Sequence, residues 1–310
     1  MTGHIPPFAL KWLQVVLAVI LMALAWRVAN GTGAMALLAD LHPAWVGAAL
    51  AALTVQTVLS ALRWRLTAGQ LDIQIDRRTA IQEYYLAQII NQALPGGLLG
   101  DAGRAMRARA QAGLLPSVQS VVFERLAGQI ALFVFFAATA LLSLALPGWL
   151  DWPRTHLPPL LALIVTGAVA LLGFWRAELW PKRAARYFRT PCLHALAAPE
   201  VRTRQITMSV GTALCNIAAF TCCAHAVGVG LSPVAALVLV PLVLLSMLLP
   251  LTISGWGIRE GAAMAVLPIA GATMAEAFAA SVIFGFAMLA ASLPGFVALR
   301  MTSSVKPMRS

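Results

Sequence analysis

The sequence predicts an all-α polytopic membrane protein with about six full spans and two re-entrant or broken helical hairpins, arranged as an inverted repeat. Of the 310 residues, 60% are hydrophobic and 11% are charged, and the mean hydropathy is +0.83. Several apolar stretches are long enough to cross a bilayer, and a helix-breaking motif occurs once in each half. Because soluble domains carry about a quarter charged residues, a soluble domain is excluded.

Six apolar stretches are expected to cross the membrane, since a span needs about 20 predominantly apolar residues. They lie at 10–29, 44–64, 117–146, 157–175, 205–228 and 275–299. The first is too long for the core of a signal peptide and is followed by no clear cleavage site. We therefore assign it as the first span.

A motif of the form P-x4-G-x3-R occurs twice, at Pro95–Arg104 and at Pro250–Arg259. The two copies lie 155 residues apart, which is half of the 310-residue chain. Each interrupts a long apolar stretch with residues that disfavour a helix interior. The pattern predicts one integral membrane domain, 1–310, built from two related repeats, 1–155 and 156–310.

Basic residues predict how the two interrupted segments, 79–112 and 232–271, enter the membrane, because cytoplasmic loops are enriched in Lys and Arg. Arginines flank the first segment on both sides, and seven basic residues lie in 176–204. The first segment is then a hairpin from the cytoplasmic face, and the second a hairpin from the opposite face. Both termini are expected in the cytoplasm. The alternative is that either segment crosses completely.

The two breaks are expected to carry function, because unpaired backbone groups inside a membrane cost several kcal/mol unless protein or water satisfies them. The inverted arrangement, with broken helices meeting near the midplane, recurs in secondary transporters. The predicted hinge or break residues are Pro95, Gly96, Gly100, Pro250, Gly255 and Gly257.

An anion site is predicted where the two breaks meet. Half-helix N-termini present free N–H groups and a positive dipole end. Arg104 and Arg259 would add guanidinium groups, which bind phosphate through two parallel hydrogen bonds. The predicted substrate-binding residues are Asn91, Asp101, Arg104, Glu124, Arg125, Ser254, Arg259 and Glu260. The alternative is that Asp101–Arg104 and Arg259–Glu260 are structural pairs that lock the hairpins.

Other function classes find little support in the sequence. The net charge of +11 is better explained by topology and anionic headgroups than by nucleic acid. The five histidines lack metal-ligand spacing. Phosphate-loop, dinucleotide and nucleophile-elbow fingerprints are lacking too. We therefore expect no metal, no cofactor and no nucleic-acid partner.

Three sequence blocks resemble a known family, the lysylphosphatidylglycerol synthase transmembrane region, whose members are also called flippase-like domain proteins. The blocks are N-Q-A-L-P-G-G-L-L-G-D-A-G-R from Asn91, S-V-V-F-E-R-L-A-G from Ser120 and L-T-I-S-G-W-G-I-R-E-G from Leu251. The resemblance implies a polytopic inner-membrane domain associated with moving lipids between leaflets. Its motif positions here are Asn91, Pro95, Gly96, Gly100, Asp101, Arg104, Glu124, Arg125, Gly128, Gly255, Gly257, Arg259 and Glu260.

Since the chain ends at Ser310, soon after the last span, we expect a stand-alone member without a synthase domain. The expected function is a flippase of a bacterial-type inner membrane. Its substrate would be a phosphate-containing lipid: a phospholipid, an aminoacyl-phospholipid or an isoprenoid-linked lipid. The alternatives are a membrane-embedded glycosyl or headgroup transferase, and a scaffold for a separate lipid-synthesis enzyme. The lipid, the energy source and the oligomeric state stay open.

Overall fold

The computed structural model describes residues 7–94, 98–146, 148–248 and 252–302, and the regular elements among them are all helical. The first half contains α1 (Pro7–Val28), α2 (Gly31–Ala39), α3 (Pro43–Gly69), α4 (Arg77–Ala93), α5 (Leu99–Ala112) and α6 (Leu114–Ala145). The second half contains α7 (Leu157–Trp175), α8 (Lys182–Ala184), α9 (Thr190–Ala197), α10 (Pro199–Ala226), α11 (Pro233–Ser246), α12 (Ile258–Val266), α13 (Met274–Ser292) and α14 (Pro294–Thr302). The predicted all-α class is confirmed.

Five helical segments within the described ranges are long and apolar enough to cross a bilayer. They are α3, α6, α7, α10 and the stretch Met274–Ala298 of α13 and α14. A sixth would be the pair α1 and α2, whose axes differ by 89°. The prediction of about six spans agrees with this set.

The sharp bend between α1 and α2 was not predicted. It lies at Asn30, whose φ of 54° is in the left-handed region that Asn tolerates better than most residues. The next residue, Gly31, leaves room for the Trp26 ring, since a Cβ there would lie 2.0 Å from that ring. The N-G-T-G sequence at 30–33 is the local cause of the bend.

Both repeated motifs lie where helices end. The first break separates α4 from α5, and the second separates α11 from α12, with a short 3₁₀ turn at Ile253–Gly255 between them. Three of the predicted hinge residues, Pro95, Gly96 and Pro250, lie outside the described residues. The other three are Gly100, in the first turn of α5, and Gly255 and Gly257, with φ of 79° and 87°.

The arms on either side of each break pack against each other, α4 on α5 and α11 on α12. The first arm starts at an N-cap, where the Asp76 carboxylate accepts a hydrogen bond of 3.1 Å from the backbone N–H of Thr79. Hydrogen bonds from the side chain and backbone of Thr79 lower the pKa of Asp76.

The centre of the protein is the long contact between α3 and α10, the most extensive helix pair in the described structure. Around it lies an apolar core to which α6, α10 and α13 contribute Phe136, Phe220 and Phe284. The basic segment 176–204 is helical and not open loop. In it Arg189 donates to the carbonyls of Phe174 (3.0 Å) and Trp175 (2.8 Å), which caps the end of α7.

Gly100 is the position where α5 comes closest to α4, since a Cβ there would lie 2.0 Å from the carbonyl oxygen of Ala87. We expect Gly100→Ala to separate the two arms and to destabilise the protein by about 1–3 kcal/mol. The measurement is the midpoint of thermal unfolding in detergent.

Gly47→Ala is the matched control, because a Cβ at Gly47 in α3 would meet nothing within 4 Å. Removing a helical glycine there is expected to leave stability unchanged or to raise it by up to about 1 kcal/mol. Equal midpoints for the two variants would contradict the close approach of α4 and α5.

Candidate functional site

A buried cluster of charges joins the first hairpin to the spans around it. In α5 the Arg104 guanidinium forms ion pairs with Asp101, one turn earlier, at 2.9 Å and with Glu124 of α6 at 3.5 Å. The Arg104 and Glu124 side chains are inaccessible to solvent. A single guanidinium therefore connects the arm that follows the break to the next span.

The Glu124 carboxylate is the shared acceptor of this cluster. The Arg63 guanidinium of α3 pairs with it at 2.6 Å, and the Tyr84 hydroxyl of α4 donates to it at 3.3 Å. Arg63 also donates to the Ser209 hydroxyl of α10 at 3.3 Å. Because an uncompensated buried carboxylate is costly, these donors are what allow Glu124 to be charged inside the protein.

Arg104 is held by rings as well as by carboxylates. Its guanidinium carbon lies 4.5 Å from the ring centre of Trp64 and 4.6 Å from that of Tyr84. Within the described part of the chain, its Nε and Nη1 atoms have no hydrogen-bond partner. Contact with two aromatic rings compensates for part of the free energy that these unmade hydrogen bonds cost.

Arg125 and Asn91 complete the cluster at Asp101. The Arg125 guanidinium pairs with Asp101 at 2.7 Å, and the Asn91 amide donates to the same oxygen at 3.2 Å. The Asn91 carbonyl accepts from the backbone N–H of Gly100 at 2.8 Å, which satisfies one free donor at the start of α5. The side chain of Arg125 is 44% exposed, unlike the other charges of the cluster.

A second buried cluster follows the second break. The Arg259 guanidinium pairs with Glu260 at 2.6 Å, and its Nε donates to the Ser281 hydroxyl at 3.0 Å. The Glu260 carboxylate also accepts from the backbone N–H of Gly257 at 2.6 Å. Arg259 lies against the rings of Trp256 and Phe284, at 5.0 and 5.5 Å.

The two motif arginines have the same kinds of partner, in two separate side-chain clusters. Each is fully buried, pairs with a carboxylate of its own return arm and contacts two aromatic rings. Within the described ranges, their partner sets have no residue in common. The breaks themselves do come together, because the Ser254 hydroxyl donates to the side-chain oxygen of Gln92 at the end of α4.

A polar cavity of about 120 Å³ lies beside the first cluster, between α3, α4, α6 and α10. Two predicted residues, Glu124 and Arg125, line it together with Arg63, whereas Arg104 and Arg259 do not. The polar lining is Gln56, Ser60, Arg63, Tyr84, Glu124, Arg125, Gln129, Thr212 and Asn216. Among the described residues, one buried acceptor in this wall, Oε1 of Gln129, has no hydrogen-bond partner.

Several lining residues were not predicted, although the sequence carries a signal for them. In α3, polar residues recur at the spacing of one helix face, at Gln56, Ser60, Arg63 and Thr67. In α10 they recur at the same spacing, at Gln205, Ser209, Thr212 and Asn216. A polar face on an apolar span points to a buried contact.

The polar faces of α3 and α10 meet. Besides the contact of Arg63 with Ser209, the Gln205 amide donates to the Thr67 hydroxyl at 2.9 Å. From Arg63 to Thr67 the contact moves four residues forward along α3, and it moves four residues back along α10, from Ser209 to Gln205. The two helices therefore run antiparallel. Within the described ranges, no three His, Cys, Asp or Glu side chains come together as a metal site would need.

The comparison with protein-family models matches residues 11–295 to the family described as the lysylphosphatidylglycerol synthase TM region. The chain belongs to this family. Membership in the lysylphosphatidylglycerol synthase TM-region family confirms the resemblance seen in the three sequence blocks. Together with the apolar helices, it makes the chain a multi-pass membrane protein of a lipid-related, flippase-like family. No match was found among the curated proteins or the solved structures.

Glu124 is the acceptor that Arg63, Arg104 and Tyr84 share, so Glu124→Gln removes the charge on which two buried guanidinium groups depend. We expect the free energy of unfolding to fall by about 3–5 kcal/mol, the usual cost of leaving a buried charge without its partner. The measurement is thermal or denaturant unfolding of the detergent-solubilised protein.

Glu178→Gln is the control, because Glu178 pairs with Arg176 on the surface, where both side chains are more than half exposed. It is expected to leave the unfolding midpoint unchanged. If Glu124→Gln were as stable as the parent protein, the carboxylate would not be the centre of the cluster.

Proposed function

We propose that this protein moves a phosphate-containing lipid between the leaflets of a bacterial-type inner membrane. The headgroup would pass through the polar interior between the two halves, while the acyl chains stay in the surrounding lipid. The observation that carries the proposal is the polar, cation-lined cavity at the centre of an otherwise apolar helical domain. Family membership supports a lipid as the substrate.

The free-energy cost of placing charged side chains inside a membrane supports a functional role for these residues. An ionised side chain at the centre of a membrane costs at least about 2.5–3.5 kcal/mol on insertion scales, so such residues are retained where they act. In this proposal Arg63 and Arg125 face the headgroup. Asp101, Glu124 and Glu260 hold the arginines in place, and Arg104 and Arg259 hold the hairpins against the spans.

The α3–α10 pair supports the two-repeat architecture. Gln56 and Gln205 lie 149 positions apart, and so do Ser60 and Ser209. In the antiparallel pairing Arg63 lies opposite Ser209. Adding 149 to position 63 gives Thr212, and subtracting 149 from position 209 gives Ser60, so the corresponding pair is Ser60 with Thr212. Every antiparallel helix pair keeps its register under such an exchange, so the support comes from the recurrence of Gln and Ser at one offset on the two helices, as inverted repeats would give.

The broken helices fit the same proposal. In it the arms α4–α5 and α11–α12 are re-entrant hairpins that enter from opposite faces and meet at the contact of Ser254 with Gln92. Rocking of the two halves about the α3–α10 contact would expose the cavity to one face and then to the other. Both termini would lie in the cytoplasm.

The test is reconstitution in proteoliposomes with fluorescent phosphatidylglycerol, aminoacyl-phosphatidylglycerol, phosphatidylethanolamine and a polyprenyl phosphate. We expect headgroup-selective translocation by the parent protein. Ala213 is a buried residue that lines the cavity, and Ala213→Phe should abolish translocation by filling it. The control is Ala48→Phe, the same substitution at an exposed position of α3. Thermal unfolding is the check that both variants are folded.

The same preparation separates transport from the rival functions. A transferase would change the lipid chemically and depend on a soluble donor or a divalent metal, which mass spectrometry of the recovered lipids detects. A scaffold would move no lipid and would be insensitive to Ala213→Phe. If the Ala213→Phe variant were folded and still moved lipid, the proposed route through the cavity would be wrong.

A further inference from the structure

We infer that the 120 Å³ cavity binds a single phosphate group that carries at most a small substituent, and that Arg125 is the residue that holds it. The inference rests on the proposed function and narrows it, because it names a class of headgroup and a ligand. A free phosphate ion and a lipid phosphate share this chemistry.

The sign of the ligand follows from the charges around the cavity. In the described cluster three guanidinium groups, of Arg63, Arg104 and Arg125, face two carboxylates, of Asp101 and Glu124. The four buried charges balance, so the surplus is the partly exposed guanidinium of Arg125, which lines the cavity. The neighbouring pair of Glu83 with Arg107 is balanced and does not change this surplus. An anion in the cavity would complete the balance.

Arg125 is the cation best able to reach that anion. Arg63 is committed, because its guanidinium already donates to Glu124 and to Ser209. Arg104 is inaccessible and does not line the cavity. Arg125 lines the cavity, is 44% exposed and forms its ion pair with Asp101 through Nη2. A guanidinium can hold a carboxylate on one edge and a phosphate on another.

The rest of the cavity lining, on α6 and α10, supplies neutral polar groups suited to the rest of a small headgroup. Oε1 of Gln129 is buried and lacks a hydrogen-bond partner among the described residues, so it can accept from a ligand hydroxyl. The amide of Asn216 and the hydroxyl of Thr212 lie on the same lining. A protonated phosphate oxygen or a glycerol hydroxyl would satisfy Gln129.

The size of the cavity limits the substituent. At about 30 Å³ for each water, the share of one molecule in the liquid, 120 Å³ corresponds to about four waters. The cavity therefore encloses a phosphate group and the nearest atoms of its substituent. An aminoacyl-glycerol or a sugar would have to extend well outside it.

The experiment is binding by calorimetry to the full chain in nanodiscs. The probes are inorganic phosphate and the dioctanoyl forms of phosphatidic acid, phosphatidylglycerol and lysylphosphatidylglycerol, with dioctanoylglycerol as the probe without phosphate. We expect phosphatidic acid and phosphatidylglycerol to bind about tenfold or more tightly than the lysyl form or dioctanoylglycerol. Binding of inorganic phosphate with equal affinity would assign the site to the free ion and not to a lipid.

Arg125→Gln removes the guanidinium that is proposed to hold the phosphate. It is expected to weaken the binding of the phosphate-bearing probes about tenfold or more. Arg107→Gln is the matched control: Arg107 is 37% exposed, pairs with Glu83 and does not line the cavity, so its affinities should stay within about twofold. Asn216→Leu keeps every charge and narrows the same wall, so it should also weaken binding. Unchanged affinity in Arg125→Gln would overturn the role of Arg125, and unchanged affinity in Asn216→Leu would overturn the location of the site in the cavity. Equal binding of the lysyl lipid would overturn the size limit.

The two proposals fail in different ways. If the small phosphate lipids bind as expected but none crosses the bilayer of proteoliposomes, the transport function falls and the phosphate site stands. If lipids cross with no dependence on headgroup size or on Arg125, transport stands and the phosphate site falls.

Discussion

The buried carboxylate of Glu124 is the interaction on which the arrangement of the first half depends. From α6 it accepts from Arg63 of α3, from Tyr84 of α4 and from Arg104 of α5, so one charge holds four helices in register. The hydrophobic effect does not do this in a membrane, because lipid tails are as apolar as the side chains that pack together. A shared charge that is fully removed from solvent gives the broken arms α4 and α5 a defined position.

In the second half, the arm that follows the break is held in place by an ion pair between two adjacent residues. Arg259 and Glu260 are adjacent in α12, and Ser281 of α13 bonds to both, so among the described residues this hydrogen-bonded cluster joins two helices. Its one cation and one anion balance, whereas the first cluster has a surplus of positive charge. The two motifs therefore differ in electrostatics, and the surplus of positive charge lies beside the cavity.

The spans and the two breaks could be predicted because they depend on local properties, namely hydropathy over about 20 residues and the helix-breaking tendency of Pro and Gly. The site depends on which helices pack together, and a single sequence does not contain that information directly. Arg63 shows the difficulty: an arginine near the end of a span is typical both of a cytoplasmic boundary and of a buried ion pair. The separation of Arg104 from Arg259 and the bend at Asn30 likewise depend on tertiary contacts and on one left-handed residue.

The position of the cavity follows from the α3–α10 interface. Where Thr67 meets Gln205 and Arg63 meets Ser209, the two polar faces are joined by hydrogen bonds. At the other end of the interface, among the described residues, no hydrogen bond joins Gln56 to Asn216, and both line the cavity instead. The cavity is therefore the part of the α3–α10 polar contact that is not closed by hydrogen bonds. In the proposed inverted repeat, closing one end while opening the other would conserve the contacts of the interface, which is the energetic condition for moving between two states of similar free energy.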